Sequence, residues 1–252
     1  MPISHECSYV SAGLTHPGQV RQVNQDAFVA MPEIGVWLVA DGVGGHLQGE
    51  MASKLLVEAI GTIGSTEGLD QLTDLVCRKI LAVNDELVQL AKNTGPDTII
   101  GSTVAALIVQ GSECVCVWAG DSRVYGLRQG RLTRLTRDHS PVEDLVEHGT
   151  LSRTQAMAHP QANVIYRAVG KEADLQLDVR LYDVRAQDRF LLCTDGLIKE
   201  ASESEITEQL SGDDCRKSSE ALLQLALRHG GHDNIAIIVV DINPNDRGAN
   251  RR

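Results

Sequence analysis

Short apolar runs rich in β-branched residues recur along this chain, and they are the feature that most limits its fold. They occupy residues 34–40, 103–109, 114–119, 190–193 and 235–240. Runs of this length and composition are typical of β-strands. The run at 235–240 is apolar at both alternating sets of positions, which predicts a strand that is covered on both faces.

Helical spacing appears in blocks between these groups of strands. Apolar residues recur every three or four positions over residues 72–90, and again within residues 213–230, where Asp213 or Asp214 is the expected N-cap. Residues 46–60 form a further predicted helix. Because the helices come in blocks, the order favours an α+β fold of antiparallel sheets with helices packed outside, over an alternating parallel fold.

Composition limits the classes of binding partner and the cellular compartment that we expect for this chain. The chain has 34 Asp and Glu against 23 Lys and Arg, a formal charge of −11, which disfavours nucleic acid and anionic membranes because phosphate is bound by clustered cations. No apolar run approaches the roughly 18 residues of a membrane span. The six cysteines include no Cys-x-x-Cys pair, so disulfides and zinc are poorly supported. We expect a cytoplasmic chain with one domain over residues 1–243 and a flexible tail at 244–252.

Four aspartates stand at the ends of predicted strands or in the turns beside them: Asp41, Asp121, Asp195 and Asp233. A carboxylate in such a place must be paired, hydrogen-bonded or bound to metal, since burying an isolated charge is costly. No Lys or Arg directly flanks Asp41, Asp195 or Asp233. Magnesium and manganese prefer such oxygen ligands. The alternative is four separate structural aspartates in turns or caps.

Two further motifs accompany these acids. Arg21 precedes a predicted strand and stands near Asp26, and its guanidinium fork suits bidentate contact with phosphate; the alternative is a surface arginine. Residues 41–46, Asp-Gly-Val-Gly-Gly-His, form a glycine-rich turn that a ligand can approach closely. This turn is not a P-loop, and neither a Gly-x-Ser-x-Gly elbow nor a Cys-x5-Arg loop is present.

Together these segments resemble the metal-dependent protein serine/threonine phosphatases of the PPM (type 2C) family, particularly the compact bacterial form. The motifs that carry the resemblance include Gly-x-Val-Arg-x-x-Asn-Gln-Asp, Asp-Gly-Val-Gly-Gly-His, Gly-Asp-Ser-Arg, Thr-Asp-Gly-Leu and Gly-His-Asp-Asn. They occur in the family's order, together with three others, at residues 18–26, 41–53, 101–103, 120–123, 135–140, 163–170, 194–197 and 231–234.

The resemblance implies a four-layer α-β-β-α sandwich of two mainly antiparallel sheets flanked by helices, with a metal site at one end between the sheets. Two core ions, Mn²⁺ or Mg²⁺, are implied. Asp41 would bridge both ions, and the backbone carbonyl of Gly42 would join it on the second ion. Asp195 and Asp233 would hold the first ion. Asp121, with Asp195, corresponds to a third, weaker metal site of bacterial members.

Further roles follow from the same resemblance. Asp26 would orient metal-bound water, Arg21 would bind the substrate phosphate, and His46 would act as the general acid. Asn163 would contribute to the third ion. His16 stands where many relatives carry an acid, which leaves local geometry or substrate preference open.

The implied activity is hydrolysis of phosphoserine and phosphothreonine in proteins by a hydroxide that bridges the two metals. Phosphorylated proteins and a bacterial Ser/Thr kinase are the implied partners, and we expect a monomer. Residues 141–160 correspond to the family's variable flap, which would gate the substrate; the alternative is a solvated helix pair. Two other functions stay open: a catalytically silent regulatory or scaffolding relative, and a phosphatase of a phosphorylated small molecule.

Overall fold

The computed structural model describes residues 8–44, 46–95, 98–212 and 214–244. The first half of the chain forms, in order, β1 (Ser8–His16), β2 (Asp26–Met31), β3 (Val36–Gly44), α1 (His46–Gly61), α2 (Leu69–Thr94), β4 (Ile100–Ser102), β5 (Val104–Gln110) and β6 (Glu113–Ala119). The second half forms β7 (Arg123–Arg128), β8 (Arg131–Arg134), α3 (Pro141–Glu147), α4 (Arg153–Met157), β9 (Asp178–Asp183), β10 (Arg189–Cys193), α5 (Asp195–Ile198), α6 (Glu203–Leu210), α7 (Cys215–Arg228) and β11 (Ile235–Asn243).

These strands form two sheets. The first sheet has the order β1-β11-β10-β7-β8, and the second has the order β2-β3-β5-β6-β9, with β4 paired to β3. Within the described ranges every pairing of two strands is antiparallel. The prediction of antiparallel sheets with helices outside is therefore confirmed.

Strand β11 shows why the sheets stack into four layers. Side chains of a strand alternate between its two faces. Ala236 and Ile238 lie in the apolar core between the two sheets, whereas Ile235 and Ile237 lie in the core beneath α6 and α7. A third apolar core joins the outer face of the second sheet to α1 and α2. As predicted, β11 is covered on both faces, and the layers follow the order α-β-β-α.

The predicted helices agree with the observed ones. Helix α2 extends the predicted residues 72–90 by one turn at each end, and its buried residues recur at the predicted spacing. Asp214 is the N-cap of α7, where its side chain accepts a hydrogen bond from the backbone N–H of Lys217 at 2.8 Å. Of the two predicted caps, Asp213 lies outside the described residues.

The predicted strand at 103–109 corresponds to β5, which begins one residue later at Val104; Thr103 separates β5 from the short β4. The predicted flap at 141–160 contains two helices, α3 and α4, capped by Ser140 and Ser152. Residues 245–252 of the predicted tail lie outside the described residues. None of the helices in the described ranges combines the length and apolar character needed to cross a bilayer.

Candidate active site

Five aspartates from both sheets meet at one end of the sandwich. Antiparallel register places Asp26 opposite Asp41 on β2 and β3. Asp195 follows β10, Asp233 precedes β11, and Asp121 lies in the turn between β6 and β7. Each of the other four influences the pKa of Asp41 by electrostatic repulsion. We call these five residues the carboxylate cluster.

Thr194 joins the two sheets at this cluster. Its hydroxyl donates a 2.7 Å hydrogen bond to Oδ2 of Asp26, although Thr194 extends the first sheet and Asp26 belongs to the second. On the neighbouring strand, the N–H of Ala236 donates to the Thr194 hydroxyl at 2.8 Å. A buried hydroxyl with both functions satisfied fixes its partners. The distance between the two sheets at the site is thus set by a hydrogen bond as well as by apolar packing.

The backbone of Asp41 is fixed by a cluster of hydroxyl groups. Its N–H donates to Oγ1 of Thr103 at 3.1 Å, and its carbonyl oxygen accepts from the Thr103 N–H at 2.8 Å. The Ser102 hydroxyl also donates to that carbonyl, at 2.9 Å. Thr103 Oγ1 lies 2.7 Å from Oγ of Ser122, next to Asp121. These contacts give Asp41 and the Asp121 turn a fixed relative position.

Gly42 allows α1 to approach β3 closely. A Cβ at this position would collide with the carbonyl of Gly49 on α1 and with the carbonyl of Gln25. The Gly42 N–H donates to that same Gln25 carbonyl at 3.1 Å. The glycine-rich motif is therefore required by packing, whether or not its carbonyl binds a ligand.

Asn234 organises the loop that carries Arg21. Its side-chain amide donates to the carbonyls of Pro17 and Val23, at 3.0 and 2.9 Å, and its Oδ1 accepts from the Gln25 N–H at 2.8 Å. The sequence interpretation assigned Asn234 no role of its own, although it belongs to the motif at 231–234. Long-range partners of this kind leave no signal in local sequence.

His16 contributes to the same loop. Its Nδ1 accepts a 3.0 Å hydrogen bond from the N–H of Gly18. Gly18 has a φ of +79°, and a Cβ there would collide with the carbonyls of Gly231 and Asp233. His16 therefore supports a turn that packs directly beside the carboxylate cluster.

Two cations lie against the cluster, although neither is adjacent to its partners in sequence. Lys199 Nζ is 2.5 Å from Oδ2 of Asp195 and 3.2 Å from Oδ2 of Asp233. Arg21 contacts Asp233 with its fork, Nε to Oδ1 at 3.0 Å and Nη2 to Oδ2 at 3.3 Å. The absence of a flanking Lys or Arg suggested that these carboxylates had no cation beside them, and this was wrong in three dimensions. Lys199 is a site residue that sequence reasoning missed.

The pKa values of the other acids reflect burial and repulsion. Burial, reinforced by repulsion from Asp195, raises the pKa of Asp26 to about 8 and the pKa of Asp121 to about 7. Burial and then repulsion from Asp26 raise the pKa of Asp41 well above its ordinary value. These carboxyl groups therefore lack enough positive charge among the protein's own side chains.

The half of the cluster next to the two cations behaves differently. Burial alone would raise the pKa of Asp233, but Lys199 and Arg21 together hold it below its ordinary value. Burial raises the pKa of Asp195, and Lys199 offsets that effect only in part. The protein's own positive charge is concentrated at Asp233.

The donor set of the cluster fits a hard divalent cation. Carboxylate and carbonyl oxygens are the preferred ligands of Mg²⁺ and Mn²⁺, and a divalent charge would relieve the repulsion that raises these pKa values. Asp41 lies opposite Asp26 in the register of β2 and β3, and repulsion from both Asp26 and Asp195 raises the pKa of Asp41. In the described ranges, no three acidic, imidazole or thiol groups already stand around one cation position. The fit thus rests on donor chemistry, and binding would require side chains to turn.

The structure leaves the roles of two other predicted site residues untested. Helix α1 begins at His46, whose side chain lies outside the part of the chain that the structure describes. Asn163 lies on an exposed turn after α4. Their predicted roles, in acid catalysis and at a third ion, stay predictions.

His139 is a further residue that the sequence interpretation left without a role. Its N–H donates to the Gly120 carbonyl at 2.9 Å, and its Nδ1 accepts from the Gly120 N–H at 3.0 Å. The ring stacks on Trp118, with the ring centroids 6.1 Å apart. Gly120 directly precedes Asp121, so this buried histidine fixes the turn that presents Asp121.

Comparison with known proteins agrees with this geometry. A family model described as protein phosphatase 2C matches residues 15–229. The chain belongs to the protein phosphatase 2C family. This membership confirms the family that the motifs indicated, a family of protein serine/threonine phosphatases. It also agrees with the four-layer fold of this phosphatase 2C domain.

The similarity to an individual member of the family extends over most of the chain. The serine/threonine protein phosphatase PstP of Mycobacterium tuberculosis is 35% identical over 232 residues, which are 92% of this chain and 44% of that protein. The chain therefore spans less than half the length of that relative.

Solved structures of similar proteins match nearly end to end. PppA, described as a key regulatory component of T6SS in Pseudomonas aeruginosa, is 39% identical, with a TM-score of 0.88 over 94% of this chain and 99% of its own. The catalytic domain of PstP in complex with two manganese ions is 32% identical, with a TM-score of 0.82 over 94% and 99%.

Proposed function

We propose that this chain hydrolyses phosphoserine and phosphothreonine in proteins with the help of Mn²⁺ or Mg²⁺. The observation that carries the proposal is the carboxylate cluster, in which five buried or half-buried aspartates from both sheets converge in a phosphatase 2C domain. Structural aspartates are normally matched by cations or hydrogen-bond donors. A cluster that remains short of positive charge is better explained by metal binding.

The proposed ligands follow the geometry of the cluster. Asp41, whose pKa is raised by repulsion from both Asp26 and Asp195, would bridge two ions, with the Gly42 carbonyl on the second ion. Asp195 and Asp233 would hold the first ion, and Asp121 would serve a third, weaker one. When bound, the ions would supply Lewis acidity toward water and toward the phosphoryl oxygens.

The remaining groups would act on substrate and water. Arg21, more than half exposed at its side chain, would turn its guanidinium from Asp233 toward a phosphate, with which it can form paired hydrogen bonds. Asp26, held by Thr194, would orient water in the site. His46, at the start of α1, would donate a proton to the departing Ser or Thr oxygen.

Metal removal tests this function. Chelation should abolish hydrolysis of a phosphothreonine peptide, and added Mn²⁺ should restore it. Activity that survives in the metal-free protein would contradict the proposal. Free phosphothreonine serves as a matched substrate: a preference for it over the peptide would favour the small-molecule alternative. The silent-relative alternative predicts that metal is bound without turnover.

We also propose a cellular setting. A Ser/Thr kinase is the expected partner, because the two enzymes would act on the same hydroxyl groups. The net charge of −11 supports the prediction that nucleic acid is not a partner. A cytoplasmic location is supported by the five described cysteines, which are all free thiols. The monomeric state is a prediction that light scattering after gel filtration tests.

The α3–α4 segment is proposed to form a flap beside the site. Arg134 contacts Glu143 and Arg137 contacts Asp144, so ion pairs attach α3 to the end of β8 and to the chain just after it. Met157, at the end of α4, is 70% exposed. An attached base and an exposed tip suit a substrate gate better than a uniformly solvated helix pair.

A further inference from the structure

Lys199 places an ammonium group between two aspartates of the cluster. Its Nζ lies 2.5 Å from Asp195 and 3.2 Å from Asp233. The position follows from local structure: Lys199 is the C-cap of α5, four residues after Asp195, and its backbone N–H donates to the Asp195 carbonyl at 2.8 Å. Asp233 reaches the same ammonium from the loop before β11.

These two aspartates are the proposed ligands of the first ion. An ammonium and a divalent ion that use the same carboxylate oxygens compete for their lone pairs and repel each other at short range. The two charges cannot occupy the same position, so one of them must yield. The Lys199 side chain is 36% exposed and has a flexible four-carbon stem, which gives it a path into solvent.

We propose that Lys199 is an internal counter-ion that competes with the divalent metal for Asp195 and Asp233, and so sets the metal affinity of the first site. The inference rests on the proposed function, because it needs those two aspartates to be metal ligands. In protein without metal, the ammonium joins two carboxylates that would otherwise repel each other. On metal binding, it leaves them.

Calorimetric titration with Mn²⁺ measures this competition directly. Replacing Lys199 by Met keeps the length of the side chain and removes its charge. Lys199→Met should bind Mn²⁺ about tenfold more tightly than the unmodified protein, since one short-range cation repulsion is removed. Lys199→Arg should keep the weaker affinity. Lys199→Gln repeats the test with a polar neutral side chain if Met is not tolerated.

Thermal unfolding separates competition from a merely structural role. With chelator, Lys199→Met should unfold at a lower temperature than the unmodified protein, because Asp195 and Asp233 lose their shared cation. With saturating Mn²⁺, the deficit should vanish or reverse. An equal deficit under both conditions would mean that Lys199 only stabilises the fold, and it would overturn the inference.

Two control variants distinguish a failure of this inference from a failure of the proposed function. Lys217→Met removes a lysine whose Nζ lies 3.6 Å from Asp214 at the start of α7, and it should change neither Mn²⁺ affinity nor the metal dependence of unfolding. Asp233→Asn should abolish binding at the first site. If Asp233→Asn abolishes binding and Lys199→Met leaves the affinity unchanged, the counter-ion inference is wrong and the metal site stands. If the unmodified protein binds no Mn²⁺, the proposed function itself is wrong.

Discussion

The two ends of β11 lie in different electrostatic settings: one holds a single ion pair, and the other holds a group of acids with fewer cations. Asp241, near the C-terminal end, receives two hydrogen bonds from Arg189, at 2.5 and 2.9 Å. The same guanidinium also donates to the carbonyls of Leu210 and Gly212. At the other end, Asp233 belongs to five aspartates against which only Lys199 and Arg21 form ion pairs in the described ranges.

The difference separates a structural acid from acids that we propose to be functional. At the Arg189 end, every buried charge has a partner, and the ion pair fastens β10 and β11 to the loop after α6. At the cluster end, acids outnumber cations and four of the five acids have raised pKa values, so folding alone does not explain their proximity. A deficit of positive charge among buried acids indicates a place where the protein depends on something it binds.

Removing one acid from the cluster is the strongest test of this difference between the two ends of β11. Asp41→Asn should lower kcat/KM on a phosphothreonine peptide by about a thousandfold, because the proposed bridging ligand is lost. Its thermal stability in chelator should stay equal or rise, since one repelling charge is gone. Steady-state kinetics and circular dichroism measure both. A variant that fails to fold would instead support a structural role for Asp41.

Removing the acid at the other end of β11 should lower stability and leave activity unchanged. Asp241→Asn leaves Arg189 buried without its carboxylate, and it should lower the free energy of unfolding by about 3 kcal/mol. The side chains of both residues are less than one-fifth exposed, so solvent screens the pair poorly. Urea unfolding measures the loss. The kcat/KM of the folded fraction should be unchanged; a drop as large as that of Asp41→Asn would erase the distinction between the two ends.

The pH dependence of stability sharpens the comparison further. Asp26 and Asp121 have raised pKa values, about 8 and about 7, so the folded protein holds protons that the unfolded chain releases near pH 4. In chelator, stability should therefore fall as pH rises from about 4 to about 8. Urea midpoints at several pH values test this. Asp26→Asn should flatten the decline, and Asp241→Asn should leave its slope unchanged.

The smallest expected effect concerns Arg21. Arg21→Ala should raise the KM for a phosphopeptide about tenfold and change kcat less, because a phosphate contact made in both ground and transition states is lost. Arg21→Lys keeps the charge but not the fork, and should recover only part of the affinity. An unchanged KM in Arg21→Ala would leave Arg21 as a partner of Asp233 alone.

Much of the fold could be predicted because its strongest signals are local. The apolar run at 235–240 directly indicates a strand, and the apolar spacing at 72–90 directly indicates a helix. Strands β7, β8 and β9 went unassigned because each carries polar or charged residues on a partly exposed face. The hydrogen bonds that Thr103 forms with Asp41, on another strand, also had no signal in the local sequence.

The sequence by itself determined the family, the sandwich of antiparallel sheets and the aspartates at the strand ends, because motif order and residue period are properties of the chain. Only the tertiary structure decided which charges face each other. Arg21 and Asp233 are 212 positions apart, and Lys199 and Asp233 are 34 apart. Coulomb energy depends on distance in space, and in a folded protein that distance bears no simple relation to separation along the chain.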